Sequence, residues 1–223
     1  GLYLKANALM LLPLQQTYGP LTSVAIPTLS RLREEPGRYR DFFRRGLTIT
    51  SFIQLPIVFY GGVAARDLIL LVLGPQWVGA HPIYLALLPV ALVQVTTPAT
   101  AWVFPSMGRA DKQLKLVMVG TACVITAYFL GAPYGVIGIA IAYSIVVWLT
   151  RIPSILYCFH GTPLRLRDVF GVMWRPALVS GLSALGTMVL LQGPLIEFGT
   201  LIRLILSALS YAVAFFVVYL LVP

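Results

Sequence analysis

The chain has 223 residues, 59% hydrophobic and 10% charged, with a mean hydropathy of +0.89 and a formal net charge of +9. A soluble domain averages about 45–50% apolar and about 25% charged residues, so the composition excludes an ordinary soluble globular protein and calls for lipid around the chain. The positive charge falls in short segments between apolar runs, where membrane orientation accounts for it and no nucleic-acid partner is needed.

A helix crosses the hydrocarbon core with about 20 predominantly apolar residues. That rule predicts an all-α, polytopic membrane helix bundle of seven transmembrane helices. The first, residues 3–30, is polar for a span, because Pro13, Gln15, Gln16, Gly19, Pro20 and Pro27 interrupt it. Breaks at membrane depth survive only where neighbouring helices or water satisfy the freed backbone groups. This span stops at an arginine cluster, Arg31, Arg33, Arg38, Arg40, Arg44 and Arg45. The second span, 45–65, holds Pro56, and the third, 82–107, holds Pro89, Pro98 and Pro105. Four more follow at 114–130, 134–159, 170–191 and 200–221. Residues 1–223 read as one integral membrane domain. The chain opens on Gly1 and is already entering an apolar run at Leu4, so a fragment with further sequence upstream is expected.

The connections test this count. Segment 31–44 is basic, whereas 66–81 balances Arg66 with Asp67. Segment 108–113 is basic through Arg109 and Lys112, and 131–133 is uncharged. Segment 160–169 carries Arg165 and Arg167, flanked by Arg151 and Arg175, and 192–199 holds only Glu197, with Arg203 just beyond. Basic and non-basic connections alternate, as the positive-inside rule demands of consecutive spans. The basic residues therefore act as topology anchors, with the N-terminal end expected outside the cytoplasm and the C-terminus inside. Turn chemistry agrees. Gly131-Ala132-Pro133-Tyr134 leaves room only for a tight antiparallel hairpin, and Gly135, Gly138 and Ala142 follow as a small-residue face for close helix packing.

Covalent chemistry finds no foothold in the pattern. The seven acidic residues and two histidines form no constellation, and no metalloprotease, serine-elbow or phosphate-loop motif is present. Cys123 and Cys158 fall in apolar runs, so neither disulfide, metal site nor cofactor is expected. Asp41, Asp111 and Asp168 are expected as solvated partners of neighbouring cations, and Asp67 as a loop pair with Arg66. The informative polar groups lie at membrane depth: Lys5, Asn7, Gln15, Gln16, Gln54 and Gln94. An unpaired amide in hydrocarbon is costly. Such side chains bond across helices or face a wet cavity that can solvate hydroxyl-rich cargo. Amides on proline-bent helices suit an alternating-access path, so these six are the substrate-path candidates.

Specific strings then stand in order: Gly1-Leu2-Tyr3, Ala6, Leu12-Pro13-Leu14-Gln15-Gln16, Pro20-Leu21, Pro27-Thr28-Leu29-Ser30-Arg31-Leu32, Gly74-Pro75-Gln76-Trp77, Gly108-Arg109 and Gly161-Thr162-Pro163-Leu164-Arg165. Together they resemble the second half of a bacterial oligosaccharide/polysaccharide flippase. This is the lipopolysaccharide, O-antigen and exopolysaccharide group of the multidrug/oligosaccharidyl-lipid/polysaccharide exporter superfamily. The resemblance implies two lobes around a central cavity, with this chain supplying the C-terminal lobe and the N-terminal lobe missing. It implies an inner-membrane, non-enzymatic transporter of undecaprenyl-pyrophosphate-linked oligosaccharide. Its partners would be that lipid, membrane lipids, and a polysaccharide polymerase with its chain-length machinery. It also implies cavity cations for the pyrophosphate, for which Lys5 is the nearest candidate, with Arg66 and Arg203 near the outer face. A drug or lipid II exporter of the same superfamily, or a membrane glycosyltransferase or polymerase, are the alternatives. The first would want an acid at membrane depth, and the last a long outer loop.

Overall fold

The computed structural model describes residues 1–193 and 199–221, and among them every regular element is helical. The predicted connection 192–199, with Glu197, lies largely outside the described residues. Helix α1 runs over Leu2–Arg31, unbroken through Pro13, Pro20 and Pro27. These prolines recur every seven residues and so share one face, and each removes a backbone donor on that side. Pro13, Gln16, Pro20, Ser23, Pro27 and Ser30 are all exposed there, while Ala6, Met10, Leu14, Ala25 and Leu29 are buried opposite. The helix persists because its inner face packs. The hydroxyls of Thr17, Thr22, Ser23, Thr28 and Ser30 also fold back onto its own carbonyls at 2.8–2.9 Å.

Helix α2, Pro36–Val63, starts at residue 36 rather than at 45. Pro36 suits a first helical turn, and Tyr39, Phe43 and Leu47 bury one face at a spacing of four. Apolar length alone misses that amphipathic extension, so Arg38, Arg40, Arg44 and Arg45 ride on a helix and not in a loop. Short α3 (Ala65–Leu68), a π-helical turn (Ile69–Leu73) and a 3-10 turn (Pro75–Ala80) lead to α4, His81–Gln94. The expected third span is broken: α4 stops at Gln94, and α5 (Pro98–Ala101) and α6 (Val103–Ser106) continue it in short pieces. Helix α7 (Ala110–Gly131) turns through Ala132–Tyr134 into α8 (Gly135–Phe159), followed by α9 (Leu166–Gln192) and α10 (Thr200–Leu221). Gly135 makes the turn at a φ of 73°, a conformation that favours glycine.

Five stretches are long and apolar enough to cross a membrane: Pro36–Val63, Pro75–Ser106, Ala110–Phe159, Leu166–Gln192 and Thr200–Leu221. The third of these is the α7–α8 hairpin and supplies two antiparallel helices, so six of the seven expected spans are there. The seventh, α1, is long enough but is not among the five, because its polar and proline-rich face dilutes it.

Helices α1, α2, α4 and α8 share a core around Met10, Leu14, Leu55, Leu87 and Val90, and a second core gathers Leu29, Phe43, Leu47, Trp102 and Ile155. Helix α9 lies along α2, with α10 outside it, and α7 lies along α8. Trp102, 1% exposed, fills the space that Gly46 leaves, where a Cβ would come within 2.9 Å of its ring.

The three basic connections meet at one end of the bundle. Arg109 donates to the carbonyls of His160 and Gly161 at 2.6 and 2.7 Å, tying the α6–α7 turn to the α8–α9 connection. Gly108 lies within reach of Arg33, and Arg40 reaches Asp168 on α9. Asp67 and Arg203 pair at the opposite end, Nε to Oδ2 at 3.0 Å, so Arg203 on α10 and not Arg66 is the partner of Asp67.

Asp168 is not the solvated surface acid expected from its neighbours. It is 3% exposed and accepts Arg40 Nε and Nη2 at 2.7–2.9 Å. Its Oδ2 also accepts the Arg165 N–H at 2.9 Å, closing the first turn of α9. The carboxylate thus joins α2 to α9, a link no sequence neighbour could reveal. Asp168→Ala should lower the apparent melting temperature in a thermal-shift assay, because hydrogen bonds to charged groups contribute roughly 1.5–3 kcal/mol. Asp168→Asn, which keeps an acceptor for Arg165, should lower it less. Equal melting of wild type and Asp168→Ala would refute the tie.

Candidate functional site

Three of the six path candidates converge. Gln15 on α1, Gln54 on α2 and Gln94 at the end of α4 line one cavity of about 180 Å³, with Leu11, Leu14, Tyr18 and Thr97. Gln54 is 2% exposed and is held: its Nε2 donates to the Leu14 carbonyl at 3.1 Å and to Thr17 Oγ1 at 3.0 Å. Gln94 Oε1 accepts the Thr97 hydroxyl at 2.8 Å, which leaves its amide N–H₂ free to donate. Gln15 is exposed, and its side chain forms no hydrogen bond with the described residues. The cavity therefore offers one fixed amide and two available ones.

The other three lie elsewhere. Gln16 projects from the exposed proline face of α1 and does not line the cavity. Asn7 is half-buried nearer the start of α1. Lys5 is exposed at the end of the bundle, its Nζ 5.8 Å from the Trp77 ring. Lys5 and Asn7 are thus outside the gathered site.

The cavity owes its polar floor to the break after α4. Thr97 keeps helical dihedrals (φ −55°, ψ −37°), but Pro98 offers no N–H, so the α-helical ladder cannot continue through it. The backbone of residues 95–97 turns tightly instead, with Thr96 N and Thr97 N bonded to Val93 O and Gln94 O at 2.9 Å. A broken helix at membrane depth is tolerated where it lines a cavity.

On the far side of the same break stands Arg151. It lies in α8, eight residues before Phe159, which places it roughly 12 Å along the helix from that end. Its Nε bonds Thr96 Oγ1, and its Nη2 is buried with no hydrogen-bond partner. It forms no ion pair with the described residues. It also lines a separate cavity of about 310 Å³ walled by Trp148, Trp174 and aliphatic side chains. From sequence spacing alone, Arg151 falls at the flank of a basic connection. The signal was present, because apolar residues run on both sides of it to Phe159. An ionisable group at such depth marks a functional site by default, because burying its charge is expensive.

The arrangement thus joins amides that donate and accept to one incompletely bonded guanidinium, across a broken helix. Such a set can solvate hydroxyls and hold an anion.

Residues 1–82 match the polysaccharide biosynthesis protein family. The matched stretch includes α1, α2, Gln15 and Gln54. No curated protein and no solved structure matches the chain. Gln94, Thr96 and Arg151 lie beyond the matched polysaccharide-biosynthesis stretch, and their place in the site rests on geometry alone.

Proposed function

We propose that this protein is a transporter and not an enzyme. It flips an undecaprenyl-pyrophosphate-linked oligosaccharide across the bacterial inner membrane for lipopolysaccharide or exopolysaccharide biosynthesis. The observation that carries this reading is the exposed proline and hydroxyl face of α1 beside an amide-lined cavity. The exposed faces of α8, α9 and α10 bear large apolar side chains suited to lipid, such as Ile145, Leu149, Leu182, Leu209 and Phe216. The face of α1 is instead interrupted by Gln16, Ser23, Ser30 and three prolines whose missing donors leave carbonyls to be solvated. Sugar hydroxyls and water are the natural contacts of such a face, and the buried guanidinium of Arg151 suits the pyrophosphate.

In this reading the gathered basic end faces the cytoplasm, the start of α1 faces the periplasm, and the chain ends on the cytoplasmic side. A polymerase and its chain-length machinery would take the flipped units.

The test is a full-length protein carrying Gln15→Ala and Gln16→Ala. A neutral hydrogen bond contributes about 1 kcal/mol, or roughly fivefold, so export should fall several-fold at unchanged protein level. Unchanged export would remove both amides from the path. In a deletion strain, lipid-linked repeat units should accumulate in the cytoplasmic leaflet. Loss of repeat-unit synthesis would point to an enzyme instead.

A further inference from the structure

The amide cavity serves the sugar part of the cargo and leaves the space across the α4 break without a role. That space is the cleft of about 310 Å³ between α8 and α9, with side chains of α2 and α4 as its floor. Ile155 and Val169, both buried in one core, close it toward the basic end. Trp148, Phe170 and Trp174 line it too, and each is exposed on the outside of the bundle, so the cleft opens sideways toward lipid.

The cleft continues along α9. Helices α2 and α9 run in the same direction, since Arg40 meets Asp168 and Gly181 lies against Phe59. Phe59, Trp174 and Ala177 line both the cleft and an open apolar groove of about 680 Å³ that follows α9 as far as Met188. Leu55, Phe59 and Val63 stand at a spacing of four on α2, and Met173, Ala177, Gly181, Leu185 and Met188 at spacings of four and three on α9. Each helix therefore gives one face to both spaces. From Met173 to Met188 that face extends for roughly 22 Å at the helical rise, the reach of a long hydrocarbon chain. Gly181 keeps the floor low, and a Cβ there would meet Phe59 only at an ordinary 3.7 Å.

Among the residues lining the two spaces only Arg151 is charged, and it stands at the basic-end half. A guanidinium carries five N–H donors. The one on Nε goes to Thr96 Oγ1, and the four on Nη1 and Nη2 have no partner among the described residues. Thr96 lines the cleft and its neighbour Thr97 the amide cavity, so the two spaces lie on either side of the α4 break. One unsatisfied cation at the end of a long apolar path calls for an anion carried on a hydrocarbon chain. Arg151 lies inside the bundle, about 12 Å from the end of α8. The glycerol and two chains of a phospholipid hold its phosphate at the interface, whereas a phosphate joined directly to one chain can follow that chain inward.

We propose that the cleft and groove hold the lipid half of the cargo, a phosphate on a single hydrocarbon chain. The phosphate oxygens accept from Arg151 Nη1 and Nη2, and the chain lies over Phe59, Ala177 and Gly181. The sugars are left to the amide side of the α4 break. The proposal rests on the transport reading for its cargo and adds that the carrier lipid is recognised with no sugar attached.

The full-length protein in detergent is titrated with geranylgeranyl phosphate, geranylgeraniol and dioleoyl phosphatidic acid, and bound lipid is counted by native mass spectrometry. Geranylgeranyl phosphate should bind about 10- to 100-fold more tightly than the alcohol, the effect of a charge-assisted contact. It should exceed phosphatidic acid, which carries the same phosphate monoester on two chains, by about tenfold, the lower end of that range. Arg151→Gln should bring the phosphate down to the level of the alcohol and leave the alcohol unchanged. Gly181→Leu should weaken phosphate and alcohol by the same factor, because it fills the chain's path. Equal binding of phosphate and alcohol, a preference that survives Arg151→Gln, or phosphatidic acid bound as tightly as the single-chain phosphate overturns the proposal. If Arg151→Gln does not fold, the wild-type ranking of the three lipids and the effect of Gly181→Leu decide. The probes carry no sugar and the readout is binding, so a failure here leaves the export tests of the transport reading standing.

Discussion

Arg151→Ala should abolish polysaccharide export by the full-length protein while leaving its membrane level and melting temperature unchanged or higher. A buried guanidinium with an unpartnered Nη2 is a cost to the folded state, because part of its charge is desolvated without repayment. Removing it should therefore not destabilise the bundle, unlike removal of a packing residue. If Arg151 holds an anionic group of the cargo, the loss is that of a charge-assisted contact, roughly 1.5–3 kcal/mol, or about 10- to 100-fold in transport.

Two further variants separate this from a purely architectural role. Arg151→Lys keeps the charge but loses the planar fork and should retain partial export. Thr96→Val removes the only hydrogen bond that Arg151 makes to the α4 break, but keeps the cation. If Arg151 served only to clamp that break, Thr96→Val would match Arg151→Ala in export. If it meets cargo, Thr96→Val should export far better than Arg151→Ala. Wild-type export by Arg151→Ala would end the assignment.

Gly131→Val should prevent the α7–α8 hairpin from closing and strip most of the protein from the folded pool. A Cβ at Gly131 would lie 2.7 Å from the Gly138 carbonyl oxygen and 2.8 Å from Ile139 Cα, both backbone atoms that cannot swing aside. Gly138 is equally tight, since a Cβ there would meet Tyr134 Cβ and the Gly131 carbonyl. In lipid, helices associate by van der Waals packing of small residues and not by the hydrophobic effect. Among the side chains of α7, only Ala127 and Gly131 are buried, so little else holds that helix. Gly120→Ala and Gly186→Ala are the controls. Both glycines lie in helices with nothing within 4 Å of the added Cβ, and alanine there should be neutral or stabilising by up to about 1 kcal/mol. Size-exclusion chromatography of detergent extracts reads the difference. A monodisperse, wild-type peak for Gly131→Val would refute the close approach.

The glycine hairpin and the Asp168 tie differ in how visible they are in the sequence. Gly131, Gly135 and Gly138 announce a tight turn and a small-residue face in the sequence itself, because a three-residue connection between apolar runs leaves the helices no other way to lie. Asp168 is different. Its neighbours suggest a solvated acid, yet its partner Arg40 is 128 residues away, and only the parallel packing of α2 on α9 brings them together.

The same division runs through the whole molecule. Composition and loop charge alone give a membrane bundle with alternating basic connections, because lipid imposes one length and one charge rule on every span regardless of its neighbours. Composition also marks α1 as too polar for lipid on all sides. Which polar groups meet depends on how the helices pack. Gln15, Gln54 and Gln94 lie on three helices about 40 residues apart and share a cavity, while Gln16, adjacent to Gln15, turns to another face, because neighbouring residues on a helix point about 100° apart. Arg151 was hidden for the converse reason. Its depth depends on where α8 ends, and its role on a break in α4 that local turn chemistry at Pro98 makes possible and the packing of α1, α2 and α8 makes useful.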